Sequence, residues 1–280
     1  MSRALTLLAA LAALLLLAAP AQAAPRYVAL GDSYAAGPLI PVQLPPFGCL
    51  RSSNDYGHLV QLRQRFPEFR DASCSGAKTD HMTAPQGVTP GPNPPQFDRL
   101  TADTTAVTLT IGGNDIGFSG IAQNCLVTRP STGSPCKDRY TAGGQDEISN
   151  RIQATAPKVA AVLDGITARS PQARIFVVNY SAIFPHEGPG CYPQMPVAEG
   201  DVPYMRAKQE ELNAMLATEA SAHGARLVDV YAASRGHDAC ALPGLRWVEP
   251  VIPASAAAPI HPNLLGMKAM SDLVVGAMRS

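Results

Sequence analysis

Charge is scarce in this chain of 280 residues: Asp, Glu, Lys and Arg make up only 16% of it, 22 basic groups balancing 22 acidic ones. The basic residues are scattered with no basic run, so the electrostatic footprint of a nucleic-acid binder is missing and no nucleic acid is expected as partner. Low complexity is missing too, since 23 Gly and 26 Pro stay below the share that marks such chains. Neither a Cys-x-x-Cys pair nor a His-Glu-x-x-His motif occurs, which argues against a metal centre, and no cofactor is expected. No internal repeat and no linker divides the sequence. What is present is a hydrophobic content of 46%, enough for a sizeable core and too much for a disordered chain.

One long apolar run exists, and it lies at the start. Ser2-Arg3 is a minimal basic opening, Ala4 to Ala19 is apolar but for Thr6, and Pro20-Ala21-Gln22-Ala23 ends in the small-x-small pattern of a cleavage site. The run is short for a spanning helix, which makes an uncleaved membrane anchor the weaker reading. The expectation is a signal peptide over 1–23, cut near Ala23, and a secreted mature chain over 24–280. Loss of Arg3 leaves 21 basic against 22 acidic groups.

Export gives the six cysteines their meaning. Cys49, Cys74, Cys125, Cys136, Cys191 and Cys240 all fall in the mature chain, an even number bound for an oxidising compartment. Fifteen connectivities are formally possible. Sequential pairing, 49–74, 125–136 and 191–240, is favoured because each bridge then closes a local loop in irregular sequence.

Strand-like runs alternate with helical ones. Tyr27 to Leu30, Ala106 to Ile111, Ile175 to Val178 and Arg226 to Val230 are short, apolar and β-branched, as strands buried on both faces should be. Helical patterns run from Tyr56 to Phe66, from Glu147 to Ser170 with a break or restart near Pro157, from Val202 to His223 before Gly224, and from Asn263 to Met278. This order predicts an α/β fold, a single-domain three-layer α/β/α sandwich around a central parallel sheet. The connections 37–50, 83–97, 118–146, 181–201 and 232–262 are long and rich in Pro and Gly, and long ordered loops on a rigid sheet usually carry a site.

Four pieces of chemistry lie on these loops. Gly31-Asp32-Ser33-Tyr34 ends the first strand and places a hydroxyl at the carboxyl edge of the sheet, where open α/β sheets bind ligands. Gly37-Pro38 limits any helix after Ser33 to one turn, whose free N–H groups can face the serine. Gly112-Gly113-Asn114-Asp115 ends the 106–111 strand; its glycines allow close backbone approach, and the Asn114 carboxamide is a neutral donor suited to a developing oxyanion. Cys74-Ser75-Gly76-Ala77 is a small-residue turn offering an unhindered N–H. Among six histidines, His58 and His223 read as surface or packing residues and His81, His186 and His237 as loop residues without assigned role. His261, in Pro259-Ile260-His261-Pro262-Asn263 before the final helix, is placed to act as a base. Each piece alone is more often an ordinary turn, cap or loop residue.

In this order the four pieces resemble the SGNH hydrolases, also called the GDSL lipases and esterases, over essentially the whole mature chain. The cysteine spacing is similar to that of the secreted three-disulfide lipase/esterase branch, whose bridges pair sequentially. The resemblance implies an SGNH, flavodoxin-like fold and a serine ester hydrolase. Ser33 would attack the ester carbonyl and His261 would accept its proton and return it to the leaving alcohol; the N–H groups of Ser33 and Gly76 and the Asn114 side chain would form the oxyanion hole. The substrate would be a small-molecule or lipid ester, handled by a monomer with at most peripheral contact with lipid aggregates.

The sequence departs from the family pattern at one point. The position three before His261, commonly Asp, is Ala258, so a Ser-His dyad is expected, with the main-chain carbonyl of Ala258 or Pro259 supporting the ring. Asp238, Glu249 or an acid elsewhere could instead reach it. A neutral His261 with a pKa of about 6.5 would give activity that falls on the acid side. Competing readings are a carbohydrate O-acetylesterase or acyltransferase on the same site, and a non-catalytic secreted binding protein. Leu39, Ile40, Val42 and Leu44 suit a lipid-facing rim and a packed loop equally well.

Overall fold

Alternation along the first strand decides the layering. In the computed structural model, which describes residues 24–280, β1 (Arg26–Gly31) turns Tyr27 and Ala29 to one face and Val28 and Leu30 to the other, all buried. A single-turn α1 (Ser33–Ala36) follows, and then a small antiparallel pair of β2 (Gln43–Leu44) and β3 (Arg51–Ser52) outside the main sheet. Next come α2 (Tyr56–Gln64), β4 (Glu68–Asp71) and β5 (Thr104–Thr110). The chain continues through α3 (Phe118–Asn124), α4 (Pro135–Thr141), α5 (Glu147–Arg169) and β6 (Arg174–Val178). It closes with α6 (Val202–Ala222), β7 (Arg226–Val228), α7 (Val230–Ala233) and α8 (Leu264–Arg279).

The sheet order is β4-β1-β5-β6-β7, every pair parallel. On one face Tyr27, Phe176 and Val228 pack with Tyr56 and Val60 of α2 and with Met267, Met270 and Val274 of α8. On the other, Val28, Leu109 and Val177 pack with Ile152, Leu163 and Ile166 of α5 and Leu212 and Leu216 of α6. The result is the expected three-layer α/β/α sandwich. The winding reverses between β1 and β5, so their carboxyl ends open the crevice in which such sheets hold ligands. Gly31 marks the closeness of these strands: a Cβ there would lie 2.5 Å from the Thr110 carbonyl oxygen, and its φ of 145° suits glycine.

Several expectations need correction. No break occurs at Pro157, because α5 runs continuously through it. Pro157 and Gln153, whose carbonyl the missing N–H would have met, are both exposed, so the lost bond falls on the solvent side of the helix. The fourth predicted strand stops at Val228, since Asp229 accepts the Ala232 N–H and starts α7. The edge strand β4 was absent from the expected set, and the loop 118–146 contains α3 and α4. The three disulfides are Cys49–Cys74, Cys125–Cys136 and Cys191–Cys240, the sequential pairing. The expected signal peptide, 1–23, lies outside the described residues. Among those described, no helix is long and apolar enough to cross a membrane.

Candidate active site

Asp32 starts the site. It is 1% exposed, and its Oδ1 accepts the Tyr34 N–H, capping the turn that presents Ser33. The main-chain N–H of Ser33, first in that helical turn, has no acceptor among the described residues. His261 arrives from the far end of the sequence, and its Nε2 lies 2.7 Å from the Ser33 Oγ.

A main-chain oxygen faces the other side of the ring. Nδ1 of His261 lies 2.7 Å from the Pro259 carbonyl, which fixes Nδ1 as the protonated nitrogen and leaves Nε2 to accept from serine. The Ala258 carbonyl instead accepts the His261 main-chain N–H. Neither candidate acid reaches the ring. Asp238 accepts the Cys240 N–H, and buried Glu249 accepts from Asn263 Nδ2 and from the N–H groups of Ala254 and Ser255. Burial works against the Glu249 charge, yet these bonds hold its carboxyl below the usual range. Desolvation by its packed surroundings lowers the His261 pKa, the Pro259 carbonyl opposing it, so the free base is favoured at neutral pH.

The loop carrying His261 is itself pinned. Ile260 has a φ of 60°, a left-handed conformation that a β-branched residue resists. Its N–H donates to the Glu249 carbonyl, and its carbonyl accepts the Tyr34 hydroxyl at 2.9 Å. The neighbour of Ser33 thereby holds the neighbour of His261.

The donor groups are knit together separately. One N–H of the Asn114 carboxamide donates to the Ala77 carbonyl at 3.0 Å, and the second hydrogen on that nitrogen stays available. Asp115 accepts both the N–H and the hydroxyl of Thr79. Between them, the Ser75–Gly76 turn is held by the Cys49–Cys74 bridge and by a Ser75 N–H donated to the Cys49 carbonyl. Gly76, at φ 79°, is exposed, and its N–H has no acceptor among the described residues.

Sequence reasoning missed Tyr180. At the carboxyl end of β6, its hydroxyl donates to Asp32 Oδ2 at 2.6 Å and accepts the Gly113 N–H at 2.8 Å, bridging the serine turn to the Asn114 loop. Its ring meets Tyr34 edge-on at 5.0 Å. Burial pushes the Asp32 carboxyl up to about 7, with the Tyr180 and Tyr34 hydrogen bonds opposing the rise. No sequence signal marks this tyrosine, which is 148 positions from its partner.

A cleft leads away from Ser33, Asn114 and His261 between α5 and α6. Ile116, Ile121, Ile183, Phe184 and Leu212 line it, a mostly apolar slot suited to a hydrocarbon chain. Leu39 and Val42 are exposed beyond Ser33, whereas Ile40 is buried and Leu44 half-buried. The described residues also gather one group able to ligate a metal, Asp55, His58 and Asp71. The protein's own cations answer those carboxylates: Arg51 lies 3.4 Å from Asp71 and His58 lies 3.0 Å from Asp55. Burial lowers the His58 pKa, but the hydrogen bond and charge of Asp55 and the charge of Asp71 outweigh it and raise the pKa overall. His58 is therefore an ion-pair residue rather than a packing one.

A family model described as GDSL-like lipase/acylhydrolase matches residues 29–269. The chain is 41% identical over 265 residues to Lipase 2 of Streptomyces coelicolor, covering 91% of this chain and 87% of that protein. Among solved structures, phospholipase A1 from Streptomyces albidoflavus superposes with a TM-score of 0.75 at 26% identity, covering 92% of this chain and 100% of that one. The extracellular lipase from Streptomyces rimosus gives a TM-score of 0.75 at 27% identity over the same shares.

Proposed function

Because the chain belongs to the GDSL-like lipase/acylhydrolase family and is an ester hydrolase, we propose that it cleaves lipid esters through a Ser33-His261 dyad. The observation carrying this reading is the 2.7 Å contact between Ser33 Oγ and His261 Nε2. As Oγ bonds to the ester carbonyl carbon, its proton passes to Nε2, and the carbonyl electrons move to oxygen. The resulting oxyanion is received by the N–H groups of Ser33 and Gly76 and by Asn114 Nδ2. Collapse breaks the bond to the alcohol, which leaves with the proton held on His261. Water then repeats the sequence on the acyl-enzyme and releases the acid. Throughout, the Pro259 carbonyl supports the imidazolium, more weakly than a carboxylate would.

The apolar slot beside Ser33 and the exposed Leu39 and Val42 favour lipid esters over acetylated sugars, and the relatives named lipase and phospholipase A1 point the same way. The three disulfides suit an oxidising compartment. With the extracellular relative, they support secretion of residues 24–280 as a hydrolase domain after loss of 1–23. The test is an acyl-chain profile on p-nitrophenyl esters and on phospholipids, paired with fluorophosphonate labelling. Ser33→Ala is expected to abolish labelling and lower turnover on the order of 10⁴-fold or more. Retained labelling and turnover in that variant would overturn the assignment.

A further inference from the structure

A second cleft opens two residues beyond His261, where Asn263 caps α8. Its volume of about 490 Å³ falls within the range of small-ligand sites. Ile40, Pro41, Leu264 and Leu265 supply apolar wall. The two charged side chains that line it, Arg246 and Lys268, are both cationic, and no carboxylate faces in.

Arg246 is the anomaly. It is 7% exposed, yet among the described residues its guanidinium donates no hydrogen bond and forms no ion pair, and its Nε is enclosed without a partner. An enclosed donor left in this state is costly, because such groups are nearly always hydrogen-bonded, whereas the two terminal nitrogens, which bond no described residue, are not enclosed and face open space. Glu249 is close enough for its carboxyl to feel the Arg246 charge, but it spends its oxygens on Asn263, Ala254 and Ser255.

The helix adds donors of its own. Asn263 takes the N–H groups of Gly266 and Met267, while those of Leu264 and Leu265 are in the first turn and have no intrahelical acceptor. Sixteen residues of aligned peptide dipoles put their positive end at this point. The guanidinium fork, two amides and the Lys268 ammonium outnumber what the two oxygens of a carboxylate can use, and they suit a tetrahedral anion.

We propose that this cleft binds a phosphate group, held by Arg246 and by the main-chain N–H groups of Leu264 and Leu265, with Lys268 at its edge. The leucine walls accommodate an attached glycerol or alkyl segment, so a phospholipid headgroup and free phosphate share the same recognition. The site does not depend on the ester-hydrolase reading, because Ser33→Ala silences turnover without altering the cleft.

The experiment uses purified protein carrying Ser33→Ala. Thermal unfolding is followed in sodium phosphate and in sodium chloride at matched ionic strength, and capture is measured by sedimentation with phosphatidylcholine vesicles and by flotation with a triolein emulsion. Phosphate is expected to raise Tm in a saturable way that chloride does not reproduce. Adding Arg246→Gln should remove that shift, and Lys268→Glu, on the exposed helix surface, should weaken apparent affinity about tenfold. If vesicles pellet the protein through Arg246 while floated triolein droplets do not carry it, the source is a headgroup. Saturation by inorganic phosphate alone makes it the free anion, and either result supports the site. Superimposable phosphate and chloride curves without Arg246-dependent sedimentation would overturn it. Should Arg246→Gln fail to fold, an unchanged response in Lys268→Glu would do the same.

Discussion

The two ends of the central sheet are built from different materials. At the amino ends, Arg26 opens β1 and pairs with Asp103 at 2.6 Å and Glu68 at 3.5 Å, the latter opening β4. Arg174 and Arg226 open β6 and β7 and donate to the Met278 and Ala277 carbonyls at the end of α8, where cations complement the helix dipole. At the carboxyl ends, residues 33–50, 239–245 and 250–260 contain no Asp, Glu, Lys or Arg. Ser33, Asn114, Tyr180 and His261 themselves are held there by neutral donors, by carbonyls and by the buried Asp32 carboxylate, while the Arg51–Asp71 and His58–Asp55 pairs lie aside at the end of the edge strand β4. Ion pairs whose carboxylates stand half in water, as those of Glu68 and Asp103 do, tolerate small shifts, so they suit a rim that only ties elements together. A site that must host transient charge is better served by oriented dipoles shielded from solvent.

The contrast can be broken most sharply at the end that carries the proposed dyad. Asn114→Ala should lower kcat by roughly 10²- to 10³-fold while Tm stays within a few degrees, measured by ester hydrolysis and calorimetry. A loss of less than tenfold would remove Asn114 from the oxyanion site. Tyr180→Phe deletes one hydroxyl that serves Asp32 and the Gly113 N–H together. Two buried groups then lose a partner, which should cost about 1–3 kcal/mol of stability by denaturant titration and lower turnover about tenfold.

Asp32 sharpens the comparison through pH. With its folded pKa near 7 and its unfolded pKa near 4, the native state holds an extra proton between those values, so this group's contribution to stability falls as pH rises from about 4 to about 7. Relative to Asp32→Asn, the protein should lose a few kcal/mol across that window and hold a constant gap above it, as read from urea midpoints. Parallel curves for the two proteins would mean that Asp32 is ionised throughout. The smallest effect belongs to the other rim: Arg26→Ala should cost no more than about 1 kcal/mol, fading in high salt, and leave turnover unchanged.

The same contrast explains what was legible in the sequence. Tyr27 to Leu30 and Ile175 to Val178 are buried on both sheet faces, so their apolar runs announce strands directly. β4 is an edge strand of Glu68-Phe69-Arg70-Asp71, polar because only one neighbour and little core reward it, and no hydrophobic pattern could reveal it. Ser33, Asn114 and His261 were readable because turn chemistry next to strand ends and a helix start is local. Tyr180, the Pro259 contact and the unsatisfied Arg246 were not, since each depends on distances set by the assembled layers. The break expected at Pro157 failed for a related reason: the apolar stripe of α5 continues on both sides, and that packing outweighs the one lost hydrogen bond.

The oxygen beneath the His261 ring belongs to the peptide backbone, a group every amino acid carries. Point mutation can delete an aspartate from a triad, but no single codon change can delete this acceptor. Such changes reach it only by bending the loop's path, so drift at positions 258 and 259 is constrained by shape rather than by chemical identity.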